Sequence, residues 1–145
     1  MMSHHAASNP ARPAGAARDR LLRLSMKLDA VATGAVGALA LVASPVLDGL
    51  LGTPVALLLP VGLFLVAYAA AIWAAGSRPA VSRRAVGMTV AINLLWVIAS
   101  VALVAAGPFA LTTLGIAFVL FQAAAVALFA DLQFLALRQA RPAAR

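Results

Sequence analysis

Between Asp48 and Arg78 the chain carries no charged residue, and between Arg84 and Asp131 it again carries none. Uninterrupted apolar runs of that length leave few folds open. In water they would have to be hidden inside a 145-residue chain that is 64% hydrophobic and only 10% charged, with a mean hydropathy of +1.02. A soluble domain of that size cannot hide so much apolar surface. Lipid can accommodate it, provided each crossing segment satisfies its own backbone hydrogen bonds, which restricts the choice to helices or a closed barrel. Barrel strands would show about ten residues of alternating polarity, and these runs do not alternate. The expected fold class is all-α.

A span needs roughly 20 apolar residues at about 1.5 Å each to cross about 30 Å of hydrocarbon. Gly107-Pro108 divides the longer run, so residues 21–137 are expected to form a four-transmembrane-helix bundle with crossings at Leu24–Ser44, Pro54–Ala75, Ala85–Ala106 and Phe109–Leu137. The last exceeds the required length and should tilt or emerge from the bilayer. Residues 1–20, rich in Ala, Pro, Ser and Arg without apolar periodicity, predict a disordered basic arm, and 138–145 a short basic tail. The long first apolar stretch contains Asp29 and follows a polar leader, which favours a retained helix over a cleaved signal peptide.

The connections orient the spans. Ser44-Pro45, Asp48-Gly49, Gly52-Thr53-Pro54 and Gly107-Pro108 are turn sequences without a basic residue. All eleven basic residues fall in the N-terminal flank, in the connection from Arg78 to Arg84, or in the tail. Short loops rich in Lys and Arg stay cytoplasmic. Both termini are therefore expected in the cytoplasm, with the protein a multi-pass component of the cell membrane. The net charge of +7 reads first as a topology signal, and anionic lipid headgroups are the partner it would attract. Nucleic acid is not an expected partner, because the charges are scattered over three membrane-proximal segments with no aromatic interleaving.

The residues the chain lacks exclude whole classes of chemistry. Without cysteine there is no disulfide relay, thiolate nucleophile or iron–sulfur ligand. The two histidines, His4 and His5, lie in the arm, too few for a metal site and misplaced for a bis-histidine haem. No phosphate-binding glycine loop, zinc-protease helix or serine elbow is recognisable, and the spans contain no nucleophile–base or acid–base pair. No catalytic residue, metal or cofactor is expected.

Polar residues within the spans are the remaining candidates, since burying them unpaired in hydrocarbon costs several kcal/mol. Thr89, Asn93, Trp96 and Ser100 recur at offsets of 4, 7 and 11 and share one helix face. Gln122 and Gln133 share a face of the fourth span, while Asp131 points the opposite way. Asp29 lies just inside the basic flank, with Thr33 one turn on and Lys27 beside it. Two readings follow. The polar groups bridge helices and fix their rotation, with Asp29 paired to Lys27 or a nearby Arg. Alternatively, Asp29 is the charged group of a cytosol-facing cavity lined by Asn93, Trp96 and Gln133, with Gln122 deeper. Trp73, one turn from the basic loop, fits an interfacial anchor.

Small residues recur four apart at Ala30, Gly34 and Ala38, at Ala67, Ala71 and Ala75, and at Ala123 and Ala127. Such ridges allow close helix approach and permit a homo-oligomer or other membrane subunits as partners. Two hairpins of similar length also invite a repeat interpretation. Leu28-Asp29-Ala30…Gly34…Gly37, Gly49-Leu50-Leu51-Gly52, Asn93-Leu94-Leu95-Trp96…Ser100, Gln122 and Gln133 together resemble the four-span integral membrane proteins of actinobacteria and, more loosely, the DoxX-like four-helix membrane families. The resemblance covers about residues 22–137 and brings no activity with it. The expected role is a non-enzymatic membrane scaffold or accessory subunit. The alternative is a small oligomeric transporter or channel with Asp29 as its ionisable centre.

Overall fold

A computed structural model describes residues 11–139, with side chains from Asp19 to Arg138. Helices α1 (Ala11–Val42), α2 (Ser44–Leu51), α3 (Val55–Ser77), α4 (Arg83–Ala106) and α5 (Thr113–Gln139) follow one another, with no strand among the described residues. Four stretches are long and apolar enough to cross a membrane: Asp19–Val42, Val55–Ser77, Arg83–Ala106 and Thr113–Arg138. Their most apolar windows are only 22–33% buried. Val42, Phe121, Leu95 and Ile98 point outward while Asp29, Asn93 and Gln133 are buried. This inverts the polarity of a soluble bundle and suits a lipid surround.

Three boundaries differ from the sequence expectation. α1 runs back to Ala11, through the second half of the segment expected to be a disordered arm; residues 1–10 lie outside the described residues. Ala and Arg favour helix there, and Pro13 sits in the first turn, where its missing N–H deprives the helix of nothing. The first outer connection contains α2, with Pro45 in its opening turn and Gly52 in the left-handed conformation at its end. α5 begins at Thr113 rather than Phe109, because Gly107, also left-handed, ends α4 and Thr112 caps the next helix, its Oγ1 accepting from Gly115 N at 3.0 Å.

α1 and α3 form one antiparallel pair and α4 and α5 a second, with α1 also resting against α5. The α1–α3 seam is close because it is made of glycines. A Cβ at Gly37 would lie 2.8 Å from Leu65 Cβ and 2.9 Å from Gly62 O. The α3 residues facing the seam are Gly62, Leu65, Ala69, Ile72 and Gly76, all buried, whereas the expected ridge residues Ala67 and Ala71 are exposed.

The ends of the bundle are chemically distinct. At one end lie Arg20, Arg23, Lys27, Arg78, Arg83, Arg84 and Arg138. There the Arg23 guanidinium donates to the carbonyls of Arg78 and Pro79 and, at 3.4 Å, to Gly76 O, satisfying groups that the end of α3 leaves open. At the other end Thr112 N donates to Leu51 O at 3.0 Å and Thr112 Oγ1 to Leu50 O at 2.7 Å, so the outer turns of the two hairpins are joined. Asp48 Oδ2 accepts from Val55 N at 3.4 Å at the start of α3. The hairpins are thus unlike in their turns, since only the first contains a helix.

Candidate functional site

The site is built around Asp29, which is 0% exposed. One turn on, Thr33 Oγ1 donates to its Oδ1 at 3.1 Å, the i,i+4 geometry of a helix face. Asn93 Nδ2 from α4 donates to Oδ2 at 2.8 Å, and Gln133 Nε2 from α5 donates to the same oxygen at 3.0 Å. α3 completes the cluster: Tyr68 Oη donates to Asn93 Oδ1 at 3.1 Å and lies 3.3 Å from Thr89 O. Every long helix contributes. The three groups bonded to the carboxyl are neutral, and Gln133 Oε1 is buried with no hydrogen-bond partner.

The basic residues nearest in sequence are engaged elsewhere. Lys27 Nζ stands 5.1 Å from the ring centre of Trp73, a cation–π contact at the lipid-facing surface where Trp73 is 47% exposed. Arg23 is held by the end of α3. The pairing of Asp29 with Lys27 or an arginine, one of the arrangements the sequence allowed, is therefore replaced by bonds to amides and a hydroxyl.

Trp96 and Gln122 belong to a second cluster. Trp96 Nε1 donates to Gln122 Oε1 at 3.0 Å, and Gln122 Nε2 donates to Ser100 Oγ at 3.2 Å. Phe64 stacks on Trp96 with ring centres 6.4 Å apart and on Tyr68 at 5.8 Å, so α3 and α4 face each other across large rings. Two adjoining cavities of about 170 and 220 Å³ follow. The first is lined by Asn93, Trp96 and Gln122 among aromatic rings; the second continues past Ser100 to Leu47 and Thr53 beneath α2. Asp29 and Gln133 line neither. The two clusters thus meet at the first cavity: Asp29 and Gln133 lie behind its wall, while their partners Thr33, Asn93 and Tyr68 line it together with Trp96 and Gln122.

Tyr68 went unnoticed in the sequence, although a signal was present. It is the only tyrosine and sits in the middle of a charge-free span, whereas tyrosines of membrane helices gather at the interfaces. At mid-depth its hydroxyl needs an acceptor, and Asn93 is on hand. Comparison of the chain with known protein families, curated proteins and solved structures gives no match.

Proposed function

We propose that the chain is a non-enzymatic scaffold or accessory subunit of the bacterial cytoplasmic membrane, of the four-span kind its sequence resembles. Its basic end faces the cytoplasm and anionic headgroups. The observation that carries this reading is the enclosure of Asp29: a fully buried carboxyl bonded by side chains from α1, α4 and α5, which lines neither cavity and stands behind Thr33 and Asn93 in the wall of the first. Such a group orients helices. A transported ion would need a path to it.

The competing reading, a small transporter or channel centred on Asp29, draws support from Gln133 Oε1, a spare acceptor beside the carboxyl. The two readings part at Asp29→Asn. The asparagine oxygen can accept from both Asn93 and Gln133, and its amide can donate to Thr33 Oγ1, so every bond of the knot survives. The scaffold reading expects Asp29→Asn to fold with stability within about 1 kcal/mol of wild type. Asp29→Ala should lose about 3 kcal/mol, because two buried amide donors are orphaned. Denaturation in detergent reads both values. Proton or cation flux in wild-type vesicles that Asp29→Asn abolishes would replace the scaffold reading with the transporter.

A further inference from the structure

We propose that the cleft between the rings binds the chain of a single-chain neutral lipid, of the fatty-acyl ester class, that enters from the membrane. Phe121, 75% exposed, and Phe64, 48% exposed, both belong to the lining, so the cleft borders the outer apolar surface. A ligand reaching it is already dissolved in hydrocarbon.

Shape narrows the class. Along α4 the lining runs from Ile92 to Leu103, a distance of about 16 Å at 1.5 Å per residue. Cavities of about 170 and 220 Å³ strung over that length form a narrow channel, which suits an unbranched chain and excludes a fused-ring molecule. The walls are aromatic and aliphatic, which excludes a charged or sugar-bearing occupant.

The polar groups at the junction supply the remaining chemistry. Gln122 and Ser100 line the cavity beneath α2, and Gln122 lines both. An amide nitrogen carries two hydrogens and a hydroxyl one. Gln122 Nε2 uses one on Ser100 Oγ, while Gln122 Oε1 already takes the Trp96 proton. The junction therefore offers an N–H and an O–H and seeks an acceptor, as an ester carbonyl provides. Ser100 lies six residues, about 9 Å, inside the end of α4. That is deeper than the interfacial layer that holds a phospholipid's own esters, so a free single-chain ester is the occupant and a bilayer phospholipid is not.

The test uses Trp96 as reporter in the full chain bearing Trp73→Phe, reconstituted in nanodiscs, with methyl dibromostearate as quencher. Quenching should saturate at a small mole fraction, with half-saturation roughly fivefold below that of a dibromoalkane of equal length, the difference one ordinary hydrogen bond makes. Gln122→Leu with Ser100→Ala should bring the ester to the alkane's value. Ala125→Leu, which fills the first cavity, should abolish saturation; Ser100→Ala alone, which preserves volume, serves if that variant fails to fold. Quenching that rises linearly with either probe, or that brominated phosphatidylcholine matches at equal mole fraction, overturns the proposal in favour of ordinary lipid contact.

Discussion

Near the basic end, Met26, Asp29, Val86 and Gln133 are completely buried, and they are the largest side chains in the bundle of which this is true. Beyond it the same four long helices border cavities of about 170 and 220 Å³, the first beginning at Thr33 and Asn93 and the second ending beneath α2. The helices themselves do not differ in kind between the halves. What differs is the filler: Met26, Ala30, Ile72, Val86 and Val90 interlock around one hydrogen-bonded knot, whereas in the outer half rings from α3, α4 and α5 hold the helices apart. In hydrocarbon there is no water to squeeze out between helices, so association rests on close packing and on polar contacts. The basic half has both. The outer half relies on the Gly37–Gly62 seam and on the joined turns, and it keeps room.

Substitutions of one kind should therefore give unequal results in the two halves. Among packing changes Met26→Ala should have the largest effect, losing about 2–5 kcal/mol in detergent denaturation because it opens a void in a filled layer; a loss no greater than that of Phe118→Ala in the cleft would erase the contrast. Ala30→Leu overfills the basic core and should cost about 1–3 kcal/mol, while Ala125→Leu enters existing space and should change stability by less than about 1 kcal/mol. Arg23→Ala uncaps α3 and should cost about 1 kcal/mol by the same assay. Trp96→Phe keeps the ring stack but removes the bond to Gln122, a loss of about 0.6 kcal/mol. Equal penalties for Ala30→Leu and Ala125→Leu would show that the outer half is as tightly filled as the inner.

The four crossings were legible because run length against bilayer thickness is a strong constraint, and Gly107-Pro108 marked the last turn. Rotation was legible in α4, where Thr89, Asn93 and Ser100 are sparse enough to mark the buried face, and all three are buried. It was not legible in α3. That helix is apolar on every side, so the sequence offered only a choice among alanines, and Ala67 and Ala71 proved to face outward while Gly62 and Gly76 form the seam. Of the candidate site, the convergence of Asp29, Asn93 and Gln133 followed from their similar depth; the placing of Asp29 and Gln133 behind the cleft wall, with Trp96 and Gln122 on it, did not. That placing depends on which side of each helix meets its neighbour, and on Tyr68, whose partner lies on a different helix. α2 was not legible because Ser44-Pro45, Asp48-Gly49 and Gly52 are all turn residues, and Pro45 is equally at home in the first turn of a helix.

The knot also bears on how the chain is made. Asn93 follows Asp29 by 64 residues and Gln133 follows it by 104, and synthesis proceeds from the N-terminus. When the first span leaves the ribosome, the carboxyl has only Thr33 for company, in the least hydropathic of the four spans. Its other partners do not yet exist. The opening helix is therefore made with its carboxyl short of two of its three side-chain partners, and the last span to be synthesised completes the set.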